Sequence, residues 1–456
     1  MNPEHPSPHE DSDRIPAPPL DQFNYALEAI SDQSMRFVIG FEGRLDADRL
    51  GRACMAAIRQ VPVLGCRFVE AESPFWERIP DIRVADILEV TVSGDPERDL
   101  MDALAASVDP ATGPQVHLCL LRGEDDTLCI TVHHAVTDAH GLFALVTMLA
   151  TLYRIDGTFP EGSPQDNDRS LASILSRIPP DVTAMLTENN ENNENNEKPA
   201  AGWKFPATGQ EAAGNTFAIR TLRPARLHAI QARGKKLKST VNDFLLAAFF
   251  RALRDFIHPV EGTTVVILLS IDLRLHFLQG ECGTHPEAGP GNPPGELRSL
   301  AGAIANKSVA FPLKVPVQER NADETVIMMT ELMREHKAHY PGLSSAISTE
   351  SAGYTRFSAI REQVRTMKET YDSTGSPPPF LGNIGVIPPE VCAFSPDLTV
   401  RNAFVAGIIV DPPGITLGVT TFREMLTLSI GYKTPALAEE TVEDFLDRIV
   451  RYLPDD

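Results

Sequence analysis

The segment LCITVHHAVTDAHGLFALV, Leu128 to Val146, carries the residue types in this chain best suited to chemistry. His133 and His134 stand side by side at the end of an alternating apolar run; Asp138 follows, then His140 and Gly141. Histidine has a reference pKa of about 6.5, so it can accept a proton at neutral pH with no special partner. The same cluster offers the donor types of a metal site, with His133, His134, Asp138 and His140 as candidate ligands. His134 and Asp138 have the i, i+4 spacing of helical zinc motifs, but they straddle a strand-to-helix junction, and no cysteine or carboxylate cluster nearby adds ligands. Polar residues that merely close a strand are the third reading. Side chains alternate between the faces of a strand, so Leu128, Ile130, Val132 and His134 share one face and Thr127, Cys129, Thr131 and His133 the other. The two histidines therefore cannot both address one reacting atom. The residues by themselves leave the base, metal and structural readings open.

Other chemistries have less support. There is no GxSxG and no cysteine in a catalytic-type signature, so no covalent nucleophile is indicated. There is no GxxxxGK[ST] loop, so ATP use is not indicated.

Hydrophobic periodicity outlines the elements that must position the cluster. MRFVIGFEG, Met35 to Gly43, reads as a strand. A helix capped by Asp46 follows, with Leu50, Ala53, Cys54, Ala57, Ile58 and Val61 on one face and Pro62 as its stop. GCRFVE and DILEVTVSG read as strands, RDLMDALAASV as a helix. Two alternating runs around Gly123 to Asp126 read as a hairpin whose second strand ends at the histidine pair. GLFALVTMLATLY is apolar almost all round and predicts a buried helix. From Asp156 to Gln210 the pattern dissolves, and NNENNENNE, Asn189 to Glu197, predicts a disordered link. The second half reads as a strand at NTFAIRTL, then a helix at STVNDFLLAAFFRALRDFI with Ser239 or Thr240 as N-cap and Asp243 in its first turn. TTVVILLSIDLRL, KSVAFPLKVP, GNIGVIP, NAFVAGIIVDP, GITLGVTTF and MLTLSIGYK predict strands; DETVIMMTELMREHKAHY predicts a helix. QGECGTHPEAGPGNPPGE is too rich in Gly and Pro to be regular, and the chain closes on a helix with Pro435 near its start. Each half mixes strands and helices, which predicts an α/β (α+β two-layer) protein of two lobes.

Composition narrows the partners. The 456 residues include 41 basic and 62 acidic ones, a formal net charge of −21 that disfavours nucleic acid or an anionic membrane as the main partner. Six cysteines without metal-type spacing read as buried small hydrophobes of a reducing compartment. No signal core precedes Met35 and no run of about 18 apolar residues exists, so a cytoplasmic protein without a transmembrane segment is expected.

HHAVTD, at a strand end and before a buried helix, resembles the HHxxxDG motif of the coenzyme A-dependent acyltransferase superfamily. That superfamily includes chloramphenicol acetyltransferase, condensation domains, wax ester synthases and polyketide-associated acyltransferases. VPVLGCRF, TVNDFLLAAFFRAL, SIDLRLH and LGNIGVI resemble further segments of those proteins, in the same order. The resemblance implies two chloramphenicol acetyltransferase-like lobes in a V with a central tunnel: residues 21–165 and 213–456, joined by a low-complexity linker 166–212 and preceded by a disordered arm 1–20. It also implies direct acyl transfer, without an acyl-enzyme, from a thioester, acyl-CoA or an acyl carrier protein, to an alcohol or amine, with no permanently bound cofactor; the ligand count and geometry of the histidine cluster disfavour a metal. By position His134 would be the general base, His133 would support it, Asp138 would turn away to pair with Arg274, and Asn383 would be a candidate oxyanion donor. A monomer is expected. One departure stands out: the motif's glycine is replaced by Ala139, with Gly141 two places later. An alanine forced to φ > 0 would be strained, whereas one that starts a helix would be harmless. The competing expectation is a non-catalytic relative that binds a carrier, a small ligand or a protein.

Overall fold

A computed structural model describes residues 13–158, 168–183, 185–186, 204–277, 293–353 and 356–455. Residues 1–12 of the expected arm, the NNENNENNE stretch, Cys282 and most of the Gly/Pro-rich loop lie outside the described residues.

Among the described residues, two large sheets organise two lobes. The first runs in the order Thr399–Ala406, Ser34–Glu42, Asp126–His133, Val116–Arg122, Leu88–Val92. Neighbours are antiparallel except the last pair, which is parallel. The second runs Ser308–Pro316, Thr264–Asp272, Phe380–Val386, Thr416–Phe422, Met425–Thr434, Gly214–Leu222. Strand alternation sorts the first sheet as its sequence predicts: Leu128, Ile130 and Val132 enter the main core, while Cys129 faces a smaller cluster with Val38 and Phe404 on the other side. The helix Ala139–Arg154 is buried along most of its length because it is packed between two helices, Ala47–Gln60 and Pro293–Ala303. The second core forms around the helix Val241–Ile257, started by Thr240 and Asp243 in a reciprocal capping box.

The strands Thr264–Asp272 and Phe380–Val386 are parallel neighbours, but they pair only through Leu268 and Leu269 opposite Phe380 and Leu381. Beyond those residues they part. Asp272 ends one strand, and Asn383 lies in the parted portion of the other.

Several expected boundaries need correction. The described part of the arm is built into the fold: Arg14–Pro16 pairs with Phe75–Arg78, and Pro19–Ala26 is helical with Pro19 at its first position. Leu20 is buried, a contact a free arm could not make, and Asp21 directly after it accepts the Trp76 indole N–H. The expected linker contains packed chain as well. Leu171, Ile174 and Ile178 are buried against Leu20, Leu273 and Leu343, with a helical turn at Ala172–Leu175. The lobes are not contiguous in sequence either, because the strand Thr399–Ala406 crosses from the second half to complete the first sheet. The closing helix begins at Glu439, and Pro435 precedes it in a turn. Beyond Pro19–Ala26 and Ala172–Leu175, four further helices among the described residues were not foreseen: Pro224–Leu237, Pro293–Ala303, Leu343–Gly353 and Phe357–Thr374. The last buries only Phe357, Ile360 and Val364, too narrow a stripe to stand out in periodicity. Among the described residues, no helix is long and apolar enough to cross a membrane.

The crossing strand generates a prediction. Residues 1–165 expressed alone will not give a soluble native lobe, because the edge at Ser34–Glu42 is left unpaired and the packing of Phe404 and Val405 is lost. Size-exclusion chromatography and near-ultraviolet circular dichroism check this; a monodisperse fragment with fixed aromatic signals would contradict it.

Candidate active site

The first sheet delivers the histidine pair to the junction of the lobes. The strand ends at His133, and the His134 N–H donates to the Gln33 carbonyl at 2.8 Å, so the backbone is held as it leaves the sheet. The two side chains part as strand alternation requires. His133 is fully buried. Its Nδ1 accepts the Ala135 N–H at 3.1 Å, which puts the ring proton on Nε2, 2.9 Å from the Glu28 carboxylate. Both nitrogens of His133 are thereby used.

His134 is half-buried and turns to the other lobe. Asn306 Nδ2 donates to the His134 carbonyl at 3.0 Å and lies 2.9 Å from the ring Nδ1. The Asn306 Oδ1 accepts the Ser308 N–H at 3.1 Å, which fixes the amide with its nitrogen toward the histidine. Nε2 of His134 has no hydrogen-bonding partner among the described residues. Burial pushes the His134 pKa below its ordinary 6.5, against the opposing pull of the ring's contact with its own carbonyl and of Asp138. The ring is therefore neutral at pH 7.

Asp138 is 1% exposed and faces away from the histidine ring. As N-cap of the helix Ala139–Arg154, its Oδ1 accepts the Gly141 N–H at 2.9 Å. Its Oδ2 accepts from Arg274 Nη1 at 2.8 Å, the Lys307 N–H at 2.8 Å and the Ser308 hydroxyl at 3.1 Å. Burial acts to raise the Asp138 pKa, but Arg274 and these N–H donors outweigh it and hold the carboxyl below the usual range. Arg274 also meets Asp272 at 3.0 Å and donates to the Ala305 carbonyl at 3.1 Å. Asp272 has its pKa raised, by burial and then by the nearby Asp138 charge; His140 Nδ1 lies 4.0 Å from it.

The Ala139 question has a local answer. Ala139 is the first residue of the helix and is not among the residues with positive φ, so it carries no left-handed strain. Gly141 is the position that needs glycine. A Cβ there would lie 3.0 Å from the Ala303 carbonyl oxygen and 3.2 Å from the Ala305 nitrogen. The helix can approach that backbone closely because position 141 has no side chain.

The structure thus brings His134, Asp138 and Arg274 into one cluster, with His133 directly behind. Asn383 makes no hydrogen bond to it: its Nδ2 donates to Asn242 at 3.0 Å and its Oδ1 accepts the Gly385 N–H at 3.1 Å. Sequence reasoning missed Asn306, Lys307, Ser308, Glu28, Asp21 and Arg169. The Asn-Lys-Ser triplet at the head of a clean strand was a usable signal; Asp21 and Glu28 lie before Met35, where no element was read, and Arg169 lies in the expected linker. Among the described residues no group of three histidine, cysteine or acidic side chains is placed to hold a metal ion. The described cysteines are buried and free, and burial pushes the thiols of Cys54 and Cys129 up to about 12, which makes them poor nucleophiles.

With this geometry in view, comparison with known proteins is informative about the fold. Neither a protein-family model nor a curated sequence matches the chain. Solved structures do. Polyketide synthase associated protein 5 from Mycobacterium tuberculosis aligns at TM-score 0.61 and 16% identity, over 95% of this chain and 96% of that one. The trichothecene 15-O-acetyltransferase TRI3 from Fusarium sporotrichioides aligns at TM-score 0.68 and 15% identity, over 96% and 94%. The first condensation domain of the CDA synthetase aligns at TM-score 0.66 and 16% identity, over 96% and 95%. The chain therefore has the two-lobed fold shared by condensation domains and CoA-dependent acyltransferases.

Two predictions follow from the cluster. Gly141→Ala will lower stability by about 1–3 kcal/mol through overpacking against backbone, whereas Ala139→Gly will cost no more than about 1 kcal/mol. Urea denaturation separates them; a large gain in stability for Ala139→Gly would reveal strain at that alanine. Asp138→Ala leaves Arg274 without its buried partner and will cost about 3–5 kcal/mol. An unchanged denaturation midpoint would contradict that.

Proposed function

We propose that this protein is an acyltransferase that moves an acyl group from a thioester to a hydroxyl or amine, with His134 as general base. The observation that carries the reading is the difference between the two histidines: His133 has both nitrogens committed, whereas His134 is neutral, anchored on its Nδ1 side and free at Nε2. The fold adds support, since the neighbours include a 15-O-acetyltransferase and condensation domains.

In this reading the reactive tautomer carries its proton on Nδ1, directed at its own carbonyl oxygen, with the Asn306 nitrogen, which lies against Nδ1 in this structure, bonding that carbonyl alone; Nε2 then keeps a lone pair. An acceptor O–H or N–H meets that lone pair. As Nε2 takes the proton, the acceptor heteroatom bonds to the thioester carbonyl carbon and a tetrahedral oxyanion forms. Collapse breaks the C–S bond, and the imidazolium returns its proton to the departing thiolate. Acyl transfer is complete with no covalent enzyme intermediate. In this reading the thioester arm enters where the strands that carry Asp272 and Asn383 part. The donor is acyl-CoA or a carrier-bound thioester. The non-catalytic alternative loses its one specific support, because Ala139 sits in ordinary helical geometry.

The test is release of free thiol from a panel of acyl-CoAs mixed with alcohol and amine acceptors. His134→Ala will lower the rate by about 10²–10⁴-fold, the scale of general-base catalysis, without unfolding the protein. Because burial lowers the His134 pKa, the neutral base persists below pH 6.5. The rate will be flat near neutrality and will fall as the pH drops through that lowered pKa. Wild-type release that survives in His134→Ala would overturn the mechanism.

A further inference from the structure

The segments that carry the site converge on one side chain, Arg169, in the chain that crosses between the halves. Arg169 is 6% exposed. Its Nε and Nη2 grip the two oxygens of Asp21 at 2.9 and 3.1 Å, the fork geometry that only a guanidinium supplies. Nη2 also meets the carbonyl oxygens of Ala135 at 3.2 Å and Val136 at 3.0 Å, and Nη1 donates to the Ile304 carbonyl at 3.2 Å. Ala135 and Val136 directly follow His134, and Ile304 lies two residues before Asn306. One rigid plane therefore touches the backbone on both sides of the His134–Asn306 contact.

The plane is itself immobilised. Asp21 is fully buried and also accepts the Trp76 indole N–H at 2.9 Å, so its carboxylate cannot swing. Lys307, next to Asn306, reaches back with its ammonium to the carbonyls of Asp168, at 3.1 Å, and Ser170, the two residues flanking Arg169. Glu350 holds the following Leu171 N–H at 2.8 Å. The crossing chain and the Asn306 segment thus hold each other, and the Ala135–Val136 backbone is clamped between them.

We propose that Arg169 is a positioning residue for His134: locked by Asp21, it pins the carbonyls of Ala135, Val136 and Ile304 and so fixes the His134 ring against Asn306, and with it the nitrogen that carries the ring proton. The proposal deepens the acyltransferase reading and rests on His134 being its base. Lysine at position 169 keeps the charge but not the fork, and cannot hold Asp21 and three carbonyls together.

The experiment uses the full-length protein with nitrogen-15-labelled histidine, as wild type, Arg169→Lys and Asp21→Asn, with His134→Gln to assign the His134 signals. Nitrogen shifts report which ring nitrogen is protonated, with or without a substrate. Wild-type His134 is expected in a single tautomer. Arg169→Lys is expected to show a mixture of tautomers, and a fall in kcat for thiol release of about a hundredfold, the cost of a misplacement near 1 Å, with the thioester KM little changed. Asp21→Asn, which keeps an acceptor for Trp76, is expected to shift the same way and decides the matter should Arg169→Lys not fold. A folded variant with the wild-type His134 spectrum and rate overturns the proposal. Altered His134 signals in a protein that releases no thiol would retain Arg169's role and remove the acyltransferase reading. Release that depends on His134 but not on Arg169 would do the reverse.

Discussion

The buried carboxylate of Asp138 is the constraint on which the site depends. A fully desolvated aspartate is tolerable only when charge and hydrogen bonds replace its water, and here four donors from two lobes do so. One oxygen starts the helix behind the histidine pair. The other ties that helix to Arg274 at the end of one strand and to Lys307 and Ser308 at the start of the next. Geometry at His134 follows from this. The carboxylate is committed to joining the lobes and does not bond to the imidazole, so the ring's orientation comes from Asn306, delivered by the same segment that binds Asp138.

The fold explains why the two histidines differ. Strand alternation sends His133 toward Glu28 beneath the first sheet and His134 toward the second lobe. The close approach of that lobe requires Gly141, whose missing side chain lets the helix sit against the Ala303–Ala305 backbone. The site is thus assembled from both halves of the chain, and the crossing strand Thr399–Ala406 makes the halves inseparable.

Much of this was legible in the sequence wherever local periodicity and tertiary burial agree. The hairpin leading to His133, the buried helix after it and the Thr240–Asp243 cap were readable because side-chain pattern and capping chemistry act over a few residues. The separation of the histidines came from alternation alone. The pairing of Asp138 with Arg274 was reached only through resemblance, since nothing local connects residues so far apart in the chain. Asp21 and Arg169 were invisible for a different reason. They lie in Pro- and Asp-rich stretches whose composition reads as loose chain, yet each buried charge is balanced by the other and by distant carbonyls. The glycine shift at Ala139 was ambiguous because a sequence does not reveal which position touches a neighbouring backbone.

The central claim is that Nε2 of His134 is the group presented to a bound thioester. Bromoacetyl-CoA, whose electrophilic carbon sits beside the thioester carbonyl, tests it most directly when labelled peptides are mapped by tandem mass spectrometry. The account predicts alkylation of His134, with His133 spared and the reaction slowed by excess acyl-CoA. An unmodified His134 while other histidines are labelled, or labelling that acyl-CoA does not slow, would contradict it.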